Sequence, residues 1–269
     1  MPAGLRVIHP APAIAVVALS AALALILADQ TRLPVDARVA LIVLSVAGSQ
    51  VFTGATNDWA DRDRDAEVRP EKPIPAGELT ERSALAIAGA GLALQLATSA
   101  VLGLLPLLLG AAASASALAY NLWLSRTPAS VLPYLVSFGL LPAWIGAGVG
   151  VPLDRVVAAS LLAAPFASAA HLANTARDFE ADASAGSRDL AQVLGRRTSH
   201  RVALGLALMV GVAVGVGLLV DGRLSAPGAL LGLIGLVAVA QGVAGPRQLW
   251  YGMLVAAVCW TVAWALSTG

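Results

Sequence analysis

Two groups of residues carry types and spacings that could do chemistry. Asn57, Asp58, Asp61 and Asp65 fall in NDWADRDRD, and His171, Asn174, Asp178 and Asp182 in HLANTARDFEAD. Asn57, Asp61 and Asp65 recur at i, i+4 and i+8, with Asp58 one position from Asn57. If a helix runs through them, these side chains share one face. The second group recurs at i, i+3, i+7 and i+11, one helical stripe. Carboxylates gathered on one face repel one another unless cations join them. Oxygen-rich clusters suit a hard divalent ion, and Mg²⁺ commonly takes a few carboxylates together with substrate phosphates and water. Arg69, Lys72, Arg177 and Arg188 interleave with the acids. Metal-held carboxylates beside Arg and Lys make a site for a polyanion such as a diphosphate.

The rest of the chain makes these clusters conspicuous. Of 269 residues 58% are hydrophobic and only 12% charged, with a mean hydropathy of +0.79. Soluble domains run near about 45–50% apolar and about 25% charged. The segment 55–83 alone holds eight of the sixteen carboxylates. The deficit of charge elsewhere, and the repeated long apolar runs, imply an all-α, polytopic integral membrane protein. A net charge of +1 gives no global basic field, so nucleic acid is not expected as a partner. Cys259 is alone, forms no internal disulfide, and reads as a small core residue.

A membrane helix needs about 20 mostly apolar residues. The candidates are Pro12–Ala28, Val39–Thr56, Ser83–Val101, Pro106–Leu124, Val131–Val151, Val156–Thr175, Val202–Val220, Pro227–Val243 and Leu249–Ser267, nine in all. Arg6 followed by apolar Ala13–Ala28 has the look of a signal peptide, but with so many later spans an uncleaved first span is expected. The run Ser83–Leu124 is too long for one helix, and GLLP at Gly103–Pro106 marks its turn. With nine spans, 13 Lys and Arg residues fall on the side of the N-terminus and of the two acidic clusters, against 4 on the other. The positive-inside rule then puts the N-terminus and both clusters at the cytoplasmic face. No separate soluble domain is visible, so residues 1–269 read as a single transmembrane domain. Gly146/Gly150, Gly211/Gly215 and Gly228/Gly232 are spaced for close helix packing in lipid, and Trp123 and Trp250 for interfacial anchoring.

Two helices four spans apart thus each deliver an Asn and a pair of aspartates to one side. Asp63, Glu67, Glu71, Glu78, Glu81, Glu180 and Asp189 read instead as solvated loop charges. An apolar cavity between spans would take a hydrophobic tail beside a metal-held diphosphate, which describes an isoprenyl diphosphate with its head at the cytoplasmic face. His171 shares the second stripe and reads either as a general base or as a hydrogen-bonded structural residue. His9 and His200 read as surface residues.

These motifs resemble those of the UbiA-type intramembrane prenyltransferases. NDWADRDRD is similar to the family's NDxxDxxxD motif, and DFEAD to its DxxxD motif. KPIPAG resembles the segment after the first motif, RDFEADASAGSRDLAQVLG the loop after span 6, and YNLWLSRTP at Tyr120–Pro128 a Tyr-Asn segment found in many members. The resemblance implies nine helices around a central cavity, and Mg²⁺-dependent ionisation of an allylic prenyl diphosphate whose prenyl group passes to an acceptor, often an aromatic ring. It implies that Asp58, Asp61, Asp65, Asp178 and Asp182 hold metal, with Asp58, Asp61, Asp178 and Asp182 essential to catalysis. It implies that Asn57, Asn174 and Lys72 meet the diphosphate and that Tyr120 borders the prenyl path; Arg69 and Arg177, interleaved with the acids, are expected to bind the diphosphate as well. Three positions depart from the pattern. Ser125 stands where Lys is frequent, leaving Arg126 as the nearest cation; Asp189 stands where Thr is frequent; Asp63 is an additional carboxylate off the stripe.

Three other functions fit parts of the sequence. A terpene cyclase of the same family would ionise the same diphosphate and quench the cation internally. A lipid acceptor could instead take a sugar from a sugar diphosphate. A transporter would use intramembrane carboxylates, but its site usually sits near the midplane, whereas these acids lie at span ends.

Overall fold

The computed structural model describes residues 1–267. Among them there is no β-strand. The helices in chain order are α1 (Ala3–Arg6), α2 (Pro10–Gln30), α3 (Ala37–Val68), α4 (Glu81–Leu102), α5 (Leu104–Ala119), a π-helical turn (Tyr120–Leu124), a 3-10 turn (Pro128–Val131), α6 (Leu132–Val149), α7 (Val157–Arg177), α8 (Phe179–Ser184), α9 (Leu190–Leu194), α10 (Arg196–Val220), α11 (Ala226–Ala240) and α12 (Pro246–Leu266). Nine described helices are long and apolar enough to cross a membrane, matching the nine expected spans one for one. The single-domain reading extends two residues further, and residues 268 and 269 lie outside the described ones. The expected GLLP turn contracts to one residue. Gly103, at φ +128°, joins α4 to α5, and Pro106 is buried in the first turn of α5.

The described chain divides into two compact units. One comprises Met1–Ser125 with Leu140–Val157, the other Arg126–Gly139 with the residues from Ala158 on.

The first unit is organised on α3. Its 32 residues make it about 48 Å long at 1.5 Å per residue, well beyond the roughly 30 Å of a hydrocarbon core. The excess carries the first acidic cluster. At its start Asp36 caps the helix by accepting from the Arg38 amide at 2.8 Å. Arg38 then reaches the carbonyls of Gly148 (3.0 Å), Val149 and Leu102, meeting acceptors that helix ends leave unpaired. In the middle, α3 crosses α4 backbone to backbone. A Cβ on Gly48 would lie 2.6 Å from the Gly91 carbonyl oxygen, and one on Gly91 2.7 Å from that of Gly48. Towards its end Phe52 and Ala55 pack with Val7, Ala84 and Ala88.

The second unit has its core where α7, α10, α11 and α12 meet, with Ala169, Leu172, Ala173, Ala207, Val239, Met253 and Trp260 all buried. The expected glycine pairs hold only by half. Gly211 lies under Trp260 and Gly228 against Ser267, but Gly215 and Gly232 have open space where a side chain would be. In the first unit Gly146 packs on Val156, whereas Gly150 ends a helix at φ +100°. A spacing of four places two glycines on one face, but only tertiary contact decides whether both meet a neighbour.

Candidate active site: two carboxylate clusters

α3 does continue past its apolar stretch, as the first stripe requires, and ends at Val68. Asp58, Asp61 and Asp65 are buried, with relative exposures of 2%, 8% and 0%. Asp63, on the other side of the helix, is exposed, as are Glu67, Glu71, Glu78 and Glu81. Lys72 joins the cluster from the loop that follows. Its Nζ donates to Asp58 Oδ1 at 2.8 Å and to Asp65 Oδ2 at 2.7 Å. The loop holds the lysine there by folding on itself: Ala76 N donates to Lys72 O, and Glu78 N and Leu79 N both donate to Pro73 O. Gly77 turns it at φ +71°, a conformation that favours glycine. Ile74 packs against the Val7–Phe52–Ala55 cluster. Arg69 lies exposed at the end of α3.

Asp61 accepts from Arg64 at 3.2 Å and from Asn57 Nδ2 at 3.4 Å. Asn57 Nδ2 also reaches Asn121 Oδ1 at 3.4 Å. Asn121 is a residue the sequence reading did not single out. It sits in the π turn, where Ser125 N bonds Tyr120 O, and its Nδ2 donates to Thr56 Oγ1 (2.8 Å) and Thr53 O (3.0 Å). Single π turns inside α-helices are frequent at functional sites. The signal was present in the Tyr-Asn segment: a buried amide at a span end needs a partner. Tyr120 opens the same turn and is half-buried.

His9, expected at the surface, keeps 38% of its side chain exposed, but it lies at the junction of α1 and α2 and bonds Asp58 Oδ1 through Nε2 at 2.9 Å, a contact the sequence does not announce. Because a carboxylate oxygen only accepts, Nε2 carries the proton.

In the second unit the stripe is broken. α7 ends at Arg177 and α8 starts at Phe179, with Asp178 between them, though Asp178 N still bonds Asn174 O and Asp182 N bonds Asp178 O. Asn174, Asp178 and Asp182 are half-buried. Arg177 grips the neighbouring Asp178 with two hydrogen bonds, Nε to Oδ1 at 2.8 Å and Nη2 to Oδ2 at 2.7 Å. Its guanidinium lies 5.6 Å from the ring of Trp250, so this tryptophan has a cation to stack on as well as an interface to mark. Arg126 is exposed, and its carbonyl receives the Arg188 amide at 3.1 Å.

Two further expectations resolve here. His171 is buried, bonded through Nε2 to Ser130 Oγ at 3.1 Å and stacked on Tyr134 at 4.3 Å. That arrangement supports the structural reading over a general base. Asp189, expected to be solvated, is 2% exposed. It caps α9, with Oδ1 accepting from Gln192 N and Oδ2 from Ser187 Oγ, both at 3.0 Å. A helix start inside a loop offers unpaired amides that a buried carboxylate can satisfy.

Among the described residues, no three His, Cys, Asp or Glu side chains gather at one point as a metal centre. The donor set nevertheless fits a cation. An ammonium already bridges Asp58 and Asp65, and Asp65 Oδ1 is buried with no hydrogen-bond partner. Buried acceptors of this kind are costly unless filled.

Sequence comparison places the chain in a family. The chain matches the UbiA prenyltransferase family over residues 15–240. It belongs to that family. A UbiA chain with nine such helices is an integral, multi-pass membrane protein. A digeranylgeranylglyceryl phosphate synthase of Natronomonas pharaonis is 30% identical over 174 residues, 62% of each chain. A protoheme IX farnesyltransferase of Azorhizobium caulinodans is 34% identical over 139 residues, 48% of this chain and 44% of that one. The chain therefore spans less than two thirds of the length of either curated relative. A UbiA homologue from Archaeoglobus fulgidus, bound to DMAPP and Mg²⁺, superposes with a TM-score of 0.72 at 17% identity, covering 98% of this chain and 99% of that one. That likeness establishes the shared fold.

Proposed function

We propose that this chain is a Mg²⁺-dependent prenyltransferase that moves an isoprenyl group from an allylic diphosphate to a small acceptor. The observation that carries the reading is the buried Asp58–Asp61–Asp65 triple at the end of a membrane helix, with Lys72 bridging Asp58 and Asp65. It is supported by the relatives, which are named for prenyl transfer, and by the homologue bound to DMAPP and Mg²⁺. We take residues 1–269 as one transmembrane prenyltransferase-like domain, with the N-terminus and both carboxylate clusters cytoplasmic.

Bound Mg²⁺ supplies the positive charge that draws electron density from the diphosphate as the allylic C–O bond breaks. Asp58, Asp61 and Asp65 of the first unit, and Asp178 and Asp182 of the second, would be the ligands of such ions, as the motif resemblance implies. Lys72, Arg69, Arg126 and Arg177 pair with diphosphate oxygens. Lys72 and Arg177 each bond a carboxylate, Asp58 and Asp178 respectively, and would trade that partner for a phosphate when diphosphate binds. Asn57 and Asn174 orient the same head group by hydrogen bonds. Tyr120 borders the prenyl tail, and the surrounding apolar helices exclude water from the developing cation. The acceptor is an electron-rich nucleophile. The relatives' names point to glyceryl phosphate and haem chemistry, and an aromatic ring fits the same step. Names of synthases and transferases also favour transfer over internal cyclisation.

The test incubates purified protein with Mg²⁺ and allylic diphosphates of several chain lengths, with and without candidate acceptors. A conjugate should form only with acceptor, and Asp58→Ala, Asp61→Ala, Asp178→Ala and Asp182→Ala should each remove most turnover. Rapid, Asp58-dependent formation of one cyclic product without acceptor would replace this reading with a cyclase.

A further inference from the structure

The residues before α2 are joined to α3, α4 and the loop that carries Lys72 through Arg6, Val7, Ile8 and His9. Arg6 Nη2 donates to the Glu71 carbonyl at 3.1 Å and to Glu78 Oε1 at 3.2 Å, so α1 is tied to the loop that carries Lys72. Val7 is fully buried among Phe52, Ala55, Ala84 and Ala88. The Ile8 backbone lies so close to α3 that a Cβ on Gly54 would be 2.7 Å from the Ile8 carbonyl oxygen. His9 then delivers its imidazole to Asp58.

His9 does this from a left-handed backbone conformation, with φ and ψ of +52° and +66°, which is uncommon outside Gly although His is among the residues enriched there. Its side chain makes no capping bond to α2. The imidazole therefore gives the turn no hydrogen bond and bonds Asp58 instead. Its partner is 2% exposed, and both donors, Lys72 and His9, converge on Asp58 Oδ1. Among the described residues no donor reaches Oδ2. The carboxylate is thus pinned by one oxygen and keeps the other for a ligand.

We propose that His9 is a positioning residue for metal binding: delivered by the docked N-terminal segment, it fixes Asp58 so that Oδ2 is presented to the cation. The proposal rests on the reading of Asp58 as a metal ligand. Its physical basis is general, since groups that hydrogen-bond a ligating side chain set its orientation, and removing them typically costs about 10–100-fold in metal affinity. Lys72 cannot hold Asp58 alone in the loaded site, because it exchanges towards diphosphate. His9, anchored through Val7 and Ile8, stays.

The experiment measures Mn²⁺ binding by electron paramagnetic resonance on the purified full chain with inorganic pyrophosphate present. It compares the natural protein, His9→Ala, His9→Gly, His9→Gln and an Asp58→Asn control. His9→Gly removes the imidazole while relieving the backbone. His9→Gln places an amide donor where Nε2 was. We expect His9→Ala and His9→Gly to weaken Mn²⁺ binding about tenfold and His9→Gln to recover to within about twofold. The thermal midpoint of His9→Gly should not fall below that of the natural protein. Mn²⁺ affinity in His9→Gly equal to or tighter than natural overturns the positioning role and leaves the metal reading standing. Failure of His9→Gln to recover also overturns it. If the natural protein binds Mn²⁺ no better than the Asp58→Asn control, the metal reading falls and the proposal with it.

Discussion

Replacing Lys72 by Met tests how the first cluster is held when no metal is bound. The substitution keeps the apolar stem and removes the ammonium. Asp58 retains His9 as a donor, but Asp65 is left with none: its Oδ1 is already unpaired and its Oδ2 bonds only Lys72. Both carboxylates lie within hydrogen-bond reach of one nitrogen. At roughly 5 Å and an effective dielectric near 20, two like charges repel by about 3 kcal/mol. Removing one partner of a buried ion pair typically costs about 3–5 kcal/mol. The lower end applies here, because His9 remains as a donor to Asp58. The metal-free variant should therefore be about 3 kcal/mol less stable than the natural protein. Mg²⁺ with pyrophosphate should recover part of that loss, because the ion supplies the missing charge. The assay is thermal unfolding in detergent, followed by tryptophan fluorescence, with and without Mg²⁺ and pyrophosphate. An unchanged midpoint for the metal-free variant would refute the view that Lys72 is the resting counter-ion of the buried carboxylates. A lowered midpoint that Mg²⁺ does not raise would refute the view that a metal takes over that role.

Asp189→Ala should lose about 1–2 kcal/mol of stability through the lost α9 cap, while turnover per folded molecule stays near normal; a large loss of turnover in folded protein would make Asp189 part of the site. In a Cys259→Ser background, Ala76→Cys should react with an impermeant thiol reagent from the cytoplasmic side and Arg223→Cys from the opposite side. Labelling of both from one side would contradict the orientation drawn from the Lys and Arg distribution.

The sequence by itself determined the membrane class, the nine spans and the face of α3 on which the first acidic cluster lies. Those depend on patterns local along the chain: length of apolar runs, helical spacing, the sign of loop charges. Asp58, Asp61 and Asp65 stand out because burial of a carboxylate in a greasy chain needs a reason, and spacing on one helix face is readable without a fold. Only the tertiary structure decided partners. Lys72 is near Asp65 in sequence, but its bond to Asp58 depends on the 72–79 loop folding over Gly77. His9 meets Asp58, and Asn121 meets Asn57, because Val7, Ile8 and the π turn pack on α3; each pair is distant in sequence and neither spacing nor composition announces it. Asp189 and Asp63 look alike as loop charges, yet one caps a buried helix and the other faces solvent. The difference lies in which backbone amides happen to need an acceptor nearby, and that is known only once the helices are in place.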